Sequence, residues 1–289
     1  LREPILIIKT AWGGKSIHTD FRSPSAGPYP FSEQELENLK KRGRNLKEVK
    51  ADKAEQTGRF YRLMIEHVRK VLKDVKRVYP DYDSKDGYEI AGFAWFQGWN
   101  DMVAGGTYPN RGQPGGYDAY SECLAHFIRD VRKDLKAPDM KFVIGVMGVG
   151  GPLDKYASPR YVPIHGSFRE AMAAPASMPE FKGNVAAVRT APFWDFRLQE
   201  IEDKQGKVKQ MAGFLKSKHK DHPNKDGSMD AQAQKAYLDK YRRTLISGED
   251  ESYAKIARSN AAYHYFGSAK TMARIGKAFA EAMIERRKK

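Results

Sequence analysis

The sequence predicts a doubly wound α/β fold, a parallel sheet sandwiched between helices, and two observations predict it. Four short runs, Ile5–Lys9, Ile90–Phe96, Lys141–Met147 and Asn184–Thr190, are nearly continuous in apolar residues and do not alternate. Strands covered on both faces of a parallel sheet read this way. Segments with apolar residues at helical spacing separate the runs, and regular strand–helix alternation with right-handed crossovers builds such a sheet.

The first run lies in "PILIIK", almost at the start of the chain. Segment 51–78 then places Phe60, Met64, His67, Val68, Val71, Leu72 and Val75 at helical spacing, and the second run follows it. Segment 117–135 repeats the pattern with Tyr120, Leu124, Phe127, Ile128, Val131 and Leu135. A shorter helix is expected over 167–180, between the third and fourth runs, and a last one over Ser268–Arg287. Two stretches interrupt the alternation. Residues 18–50 are rich in Pro, Gly and Ser and then charged, and residues 203–229 are rich in Lys. Both are expected as decorating loops of a single domain spanning 1–289, of the kind that shapes a site at strand ends.

Composition narrows the function. Lys and Arg number 51 against 36 Asp and Glu, a net charge of +15, but the excess is spread along the chain. No binding signature with interleaved basic and aromatic residues accompanies it, so nucleic acid is not an expected partner. Cys123 stands alone, which excludes an intrachain disulfide and a cysteine-rich metal site. Its helical setting predicts a small core residue. No apolar run approaches the ~20 residues of a membrane-spanning helix. The chain has no initiator Met and no visible signal peptide, and it reads as a mature or truncated chain.

Ligands of such folds bind outside the carboxyl ends of the strands. After the first run comes "TAWGGKSIHTDF". Its Gly-Lys-Ser is not a phosphate-binding loop, because Lys9 stands where that motif needs its first glycine. What remains is a Gly13-Gly14 turn whose bare N–H groups can approach a ligand. After the second run, "FAWFQGWNDM" turns from aromatic to polar as Gln97-Gly98-Trp99-Asn100-Asp101. Its G-x-N-D form allows either a carboxamide donor to a developing oxyanion or simple capping of the next turn.

"LIIKTAWGGKSI", "DFRSPSAGPYPF", "FAWFQGWNDM", "EFKGNVAAVRTAPFWD" and "YHYFGSAKTMARIGKAFAEAM", from residue 4 to about 284, together resemble the sialate O-acetylesterase-like carbohydrate esterases of the SGNH hydrolase superfamily. The resemblance implies a flavodoxin-like α/β/α fold, no cofactor or metal, and hydrolysis of acetyl esters on sugars by an exported, secreted or periplasmic enzyme. It implies that Asn100 donates to the oxyanion, with Asp101 the alternative, and that Gly14 or Gly13 adds a backbone N–H. His264, before the last helix, becomes the base; D-x-x-H would put its acid partner where Ala261 stands, which leaves Asp195 as a candidate. Gln97, Trp99, Trp12, Lys15 and Asp195 become candidate substrate-side residues, and Trp194 a further possible sugar platform. His18 and His165 are expected in loops near the site, and His67 and His126 as helix packing residues. His219 and His222 lie in the Lys-rich stretch with no third metal ligand evident.

The family's nucleophile belongs to a G-x-S-type block after its first strand, and no such block precedes the Gly13-Gly14 turn. The resemblance therefore implies a nucleophile serine upstream of Leu1 and a sheet lacking its first strand. Ser16 as a replacement nucleophile, and an inactive carbohydrate- or polyanion-binding form of the fold, are the alternatives.

Overall fold

The computed structural model describes residues 3–156 and 159–287. The chain forms two compact units. One takes the chain as far as Met147, the stretch ending at Arg189 and the end of the chain from Ala278; the other takes Gly148–Tyr156 and Thr190–Lys277.

The first unit holds a parallel sheet of β1 (Gly92–Trp95), β2 (Lys141–Val146) and β3 (Val185–Arg189), in that order, so the fold is α/β and consistent with a flavodoxin-like architecture. Ala94 pairs with Val143, and Val143 with Ala186. Its helices are α1 (Glu33–Lys41), α2 (Leu46–Gln56), α3 (Arg59–Lys73), α4 (Trp99–Val103), α5 (Asp118–Asp134) and α6 (Val162–Ala173). Side chains alternate across a strand. Accordingly Phe93 and Trp95 of β1, with Phe142 of β2, meet Phe127 of α5, the closest of these rings lying 4.5 Å away. On the other face Phe96 meets Phe279 at 5.5 Å. Gly145 is needed there, since a Cβ would run into both rings. Phe279 comes from α10 (Ala269–Arg287), after α7 (Phe196–Ser217), α8 (Ala231–Leu245) and α9 (Gly248–Ala257) of the second unit.

Three of the four expected strands form within a residue or two of their runs. The first does not: among the described residues Ile5–Lys9 pairs with no strand, and Ile5 and Ile7 are 68% and 83% exposed. A strand is held by its neighbours' hydrogen bonds, and among the described residues β1 pairs with β2 alone. The helix expected over 51–78 is two helices. Gly58, at φ +68 and too close to the Arg22 carbonyl to carry a Cβ, divides α2 from α3. The buried face of α3 carries Tyr61, Met64, Ile65 and Val71, so His67 points to solvent and is not a packing residue.

Neither expected loop is a simple loop. Within 18–50, α1 starts at the Ser32 cap, whose Oγ accepts from Glu35 N at 3.1 Å, and α2 starts at Asn45, which caps Lys47 N at 3.0 Å. Ser32-x-x-Glu35 is a capping-box pattern, a legible signal. Residues 203–229 are mostly helix α7, joined to α8 by a turn that Asn224 knits, donating to Leu215 O and accepting from Met229 N, both at 2.8 Å. The helix buries only Leu198, Ile201 and Leu215, so its residues lack a continuous apolar stripe although most favour helix.

Candidate active site

At the carboxyl end of β1, Gly98 lets the chain turn into α4. A Cβ there would press on the ring of Phe168, so the close packing needs glycine. The turn places Asn100 and Asp101 on successive helical positions that face different surroundings.

Asp101 is fully buried. Its carboxylate accepts from Ile17 N at 2.9 Å, His18 N at 3.2 Å, Gln97 Nε2 at 2.7 Å and the Tyr108 hydroxyl at 3.1 Å. Gln97 Nε2 also donates to Lys15 O at 2.8 Å. Asp101 and Gln97 therefore lash segment 15–18 to the end of β1, and the Gly13-Gly14 turn is carried with it. Gln97 orders the loop; its amide nitrogen is spent on protein partners.

Asn100 is different. It is half-buried, and its carboxamide makes no hydrogen bond to a described residue. Gly13 and Gly14 are exposed, and a Cβ on either would meet open space, so their backbone is approachable from outside. Gly14 has φ +72, which favours glycine. Trp12 is 38% exposed with its ring against Phe60 at 5.3 Å, and Trp99 is half-buried on α4. Lys15 Nζ turns to Asp20 at 3.6 Å and to the Phe60 ring at 4.2 Å. Ser16 Oγ accepts from Thr19 N at 3.1 Å and donates to Asp20 at 3.3 Å, the bonding of a turn residue. Ser25 Oγ bonds to His126 Nδ1 at 2.8 Å and Ser25 N donates to Asp130, which stitches the turn at Pro24–Ala26 to α5. Cys123 is buried in α5, as its pattern predicts, and burial pushes its thiol up to about 11.

In the second unit, His264 is exposed within the turn Ala262–Gly267, its Nδ1 3.0 Å from Asn260 Oδ1. Asp195 does not orient it: one carboxylate oxygen caps α7 through Leu198 N at 3.1 Å, and the other accepts from Tyr253 at 2.7 Å, with Lys270 at 3.8 Å. Trp194 is buried against Tyr265 and Phe266, so it is a core residue rather than a sugar platform. His219 and His222 both pack on Phe214, at 4.8 and 4.2 Å. Among the described residues no three His, Cys, Asp or Glu side chains gather as a metal site.

His18 and His165 are buried, and His165 lies in α6 rather than in a loop. Burial first, then Arg22 beside His18 and Arg169 beside His165, holds each imidazole down at about 4 against an ordinary 6.5. A lowered folded value means that each favours the fold above 6.5 and that this is lost as pH falls towards 4. Burial raises Asp101 from 3.8 to about 6 against the pull of its four donors. Its protonation thus favours the fold below about 4, an advantage lost as pH rises through 6. The two histidines oppose Asp101 and prevail. Thermal melts are expected to show stability falling from pH 7 to pH 4.5, and Asp101→Asn, which removes the compensating group, should steepen that fall relative to its own neutral value.

The fold is thus α/β, with a half-buried carboxamide at the end of β1 and an open glycine turn tied to that end through Lys15 and Ile17. The family model for carbohydrate esterases described as sialic acid-specific acetylesterases (SASA) matches residues 2–160, just over half of the chain. The chain belongs to that carbohydrate esterase family. No curated protein and no solved structure matches it.

Proposed function

We propose that the protein hydrolyses acetyl esters on sugars by the serine-esterase route of the SGNH hydrolases. One observation carries this beyond the family: the half-exposed Asn100 carboxamide at the end of β1 bonds to no described residue, while its neighbour Asp101 is consumed in holding the Gly13-Gly14 loop. A carboxamide donor on α4 that binds no described residue, beside a braced glycine loop, is what an oxyanion site requires.

In this reading a serine hydroxyl attacks the acetyl carbonyl carbon and His264 Nε2 takes its proton. The carbonyl oxygen becomes an oxyanion held by the Asn100 amide and the Gly13 or Gly14 N–H. The sugar hydroxyl leaves with the proton from His264, and water releases acetate from the acyl-serine by the same steps. The nucleophile is placed outside residues 1–289, on a strand that would occupy the open edge of β1. The turn bonding of Ser16 and the exposed Ile5–Lys9 segment support that placement. Trp12 and Trp99 are offered to the sugar, and the exported character of the family suggests a secreted or periplasmic enzyme. Among the described residues no helix is long and apolar enough to cross a membrane.

Acetate release from acetylated sugars by the protein of the complete reading frame tests the activity. His264→Ala should lower kcat at least a hundredfold and remove the acidic limb of the pH profile; an intact limb in that variant would take the base role from His264.

A further inference from the structure

The expected acid partner of His264 is replaced by Ala261, yet the ring is not left without an orienting group. We propose that Asn260 is the positioning residue of His264, its carboxamide oxygen keeping the ring proton on Nδ1 so that Nε2 presents the lone pair. The inference rests on the reading of His264 as base.

Donor and acceptor chemistry fixes the ring proton. Asn260 Oδ1 lies 3.0 Å from His264 Nδ1 and 2.8 Å from Ala261 N. Oxygen and nitrogen of a carboxamide are interchangeable by a flip, and an imidazole nitrogen can donate or accept. A backbone N–H, however, can only donate. The atom facing Ala261 N is therefore the oxygen, and an oxygen that accepts from Ala261 can only accept from His264 too, with its second lone pair. Nδ1 must then carry the hydrogen. Nε2, which makes no hydrogen bond among the described residues, is left as the basic atom. Ala261 thus supplies a backbone N–H that fixes the amide, at the position where the family pattern has an acid.

The backbone holds this arrangement in place. Tyr265 and Phe266 adopt φ +53 and +58, a left-handed conformation that costs bulky residues of order 1–3 kcal/mol each. Burial of both rings offsets it. The Tyr265 hydroxyl accepts from Gly148 N at 2.6 Å and bonds to Thr190 Oγ1 at 2.8 Å. Phe266 O accepts from both Ser259 N and Asn260 N at 2.9 Å. The residues before and after His264 are tied to one another, and the Tyr263 ring packs on the imidazole at 4.4 Å. A neutral amide stabilises an imidazolium less than a carboxylate would, so its main contribution is to tautomer and orientation.

Long-range proton–nitrogen NMR on nitrogen-15-labelled residues 1–289, at a pH where the ring is neutral, reads the tautomer without any turnover. Unsubstituted protein should show protonated Nδ1 and bare Nε2. Asn260→Ala should move the ring towards the Nε2–H form that free imidazoles favour, and Asn260→Asp, which keeps the acceptor, should retain Nδ1–H. The amide spectrum of Asn260→Asp checks the fold independently of the alanine variant. An unsubstituted ring already in the Nε2–H form, or an Asn260→Ala ring unchanged, overturns the inference. In the active enzyme Asn260→Ala should lower kcat tenfold or more with KM little changed, and Asn260→Asp should restore it. A switched tautomer with unaltered kcat would leave the tautomer assignment standing and remove His264 as base.

Discussion

Asn100→Ala is expected to lower kcat for acetyl-ester hydrolysis by about a hundredfold or more, with KM and melting temperature nearly unchanged. Loss of a single oxyanion donor has effects of about that size, because the bond strengthens as charge develops in the transition state. Constancy of the melting temperature follows from the structure, since the carboxamide bonds to no described residue and its removal strands no partner. Kinetics with an aryl acetate and a thermal melt of the same preparation check both halves. Unaltered kcat in Asn100→Ala beside a collapse in a still-folded Asp101 variant would move the donor role to Asp101.

Asp101→Ala is expected to act in the opposite way, through stability first. The substitution leaves Ile17 N, His18 N, Gln97 Nε2 and the Tyr108 hydroxyl without their common acceptor in a fully buried place. An unsatisfied buried donor costs about 1–3 kcal/mol, so a loss of about 3 kcal/mol or more is expected even after some relaxation. For a unit of this size that corresponds to a fall in melting temperature of roughly 6–12 °C. Turnover should fall as well, since the Gly13-Gly14 loop loses its brace. Asp101→Asn keeps one acceptor oxygen and should lie between the two. Denaturant melts of both variants check the ranking, and equal stability of Asp101→Ala and unsubstituted protein would remove the carboxylate as the loop's anchor.

The adjacent pair shows where the sequence is legible and where it is not. Continuous apolar runs identify β1, β2 and β3; β2 is buried along nearly its whole length, as a parallel strand covered on both faces should be, whereas β1 exposes Ala94 and β3 exposes Arg189. The same pattern marks Ile5–Lys9, but a strand also needs a partner, and pairing is not written in the run itself. G-x-N-D places a carboxamide and a carboxylate at a strand end without saying which turns inward. The turn of α4 decides that, and it depends on Gly98 meeting Phe168, a residue seventy positions later. Helix α7 was obscured for a related reason: its lysines face solvent, and only three of its residues are buried. Asn260 is not legible from spacing: D-x-x-H points to position 261, whereas the acceptor stands four residues before His264, in a turn closed by the left-handed Tyr265 and Phe266 that follow it.

In the proposed mechanism the strand-end site serves a serine nucleophile outside residues 1–289. Labelling with a serine-directed phosphonate, read by intact mass and peptide mapping, tests it most directly. Residues 1–289 should take no stoichiometric label, and the protein of the complete reading frame should take one, at a serine upstream of Leu1 and lost in His264→Ala. Stoichiometric labelling of Ser16, or of any other serine within residues 1–289, would contradict it.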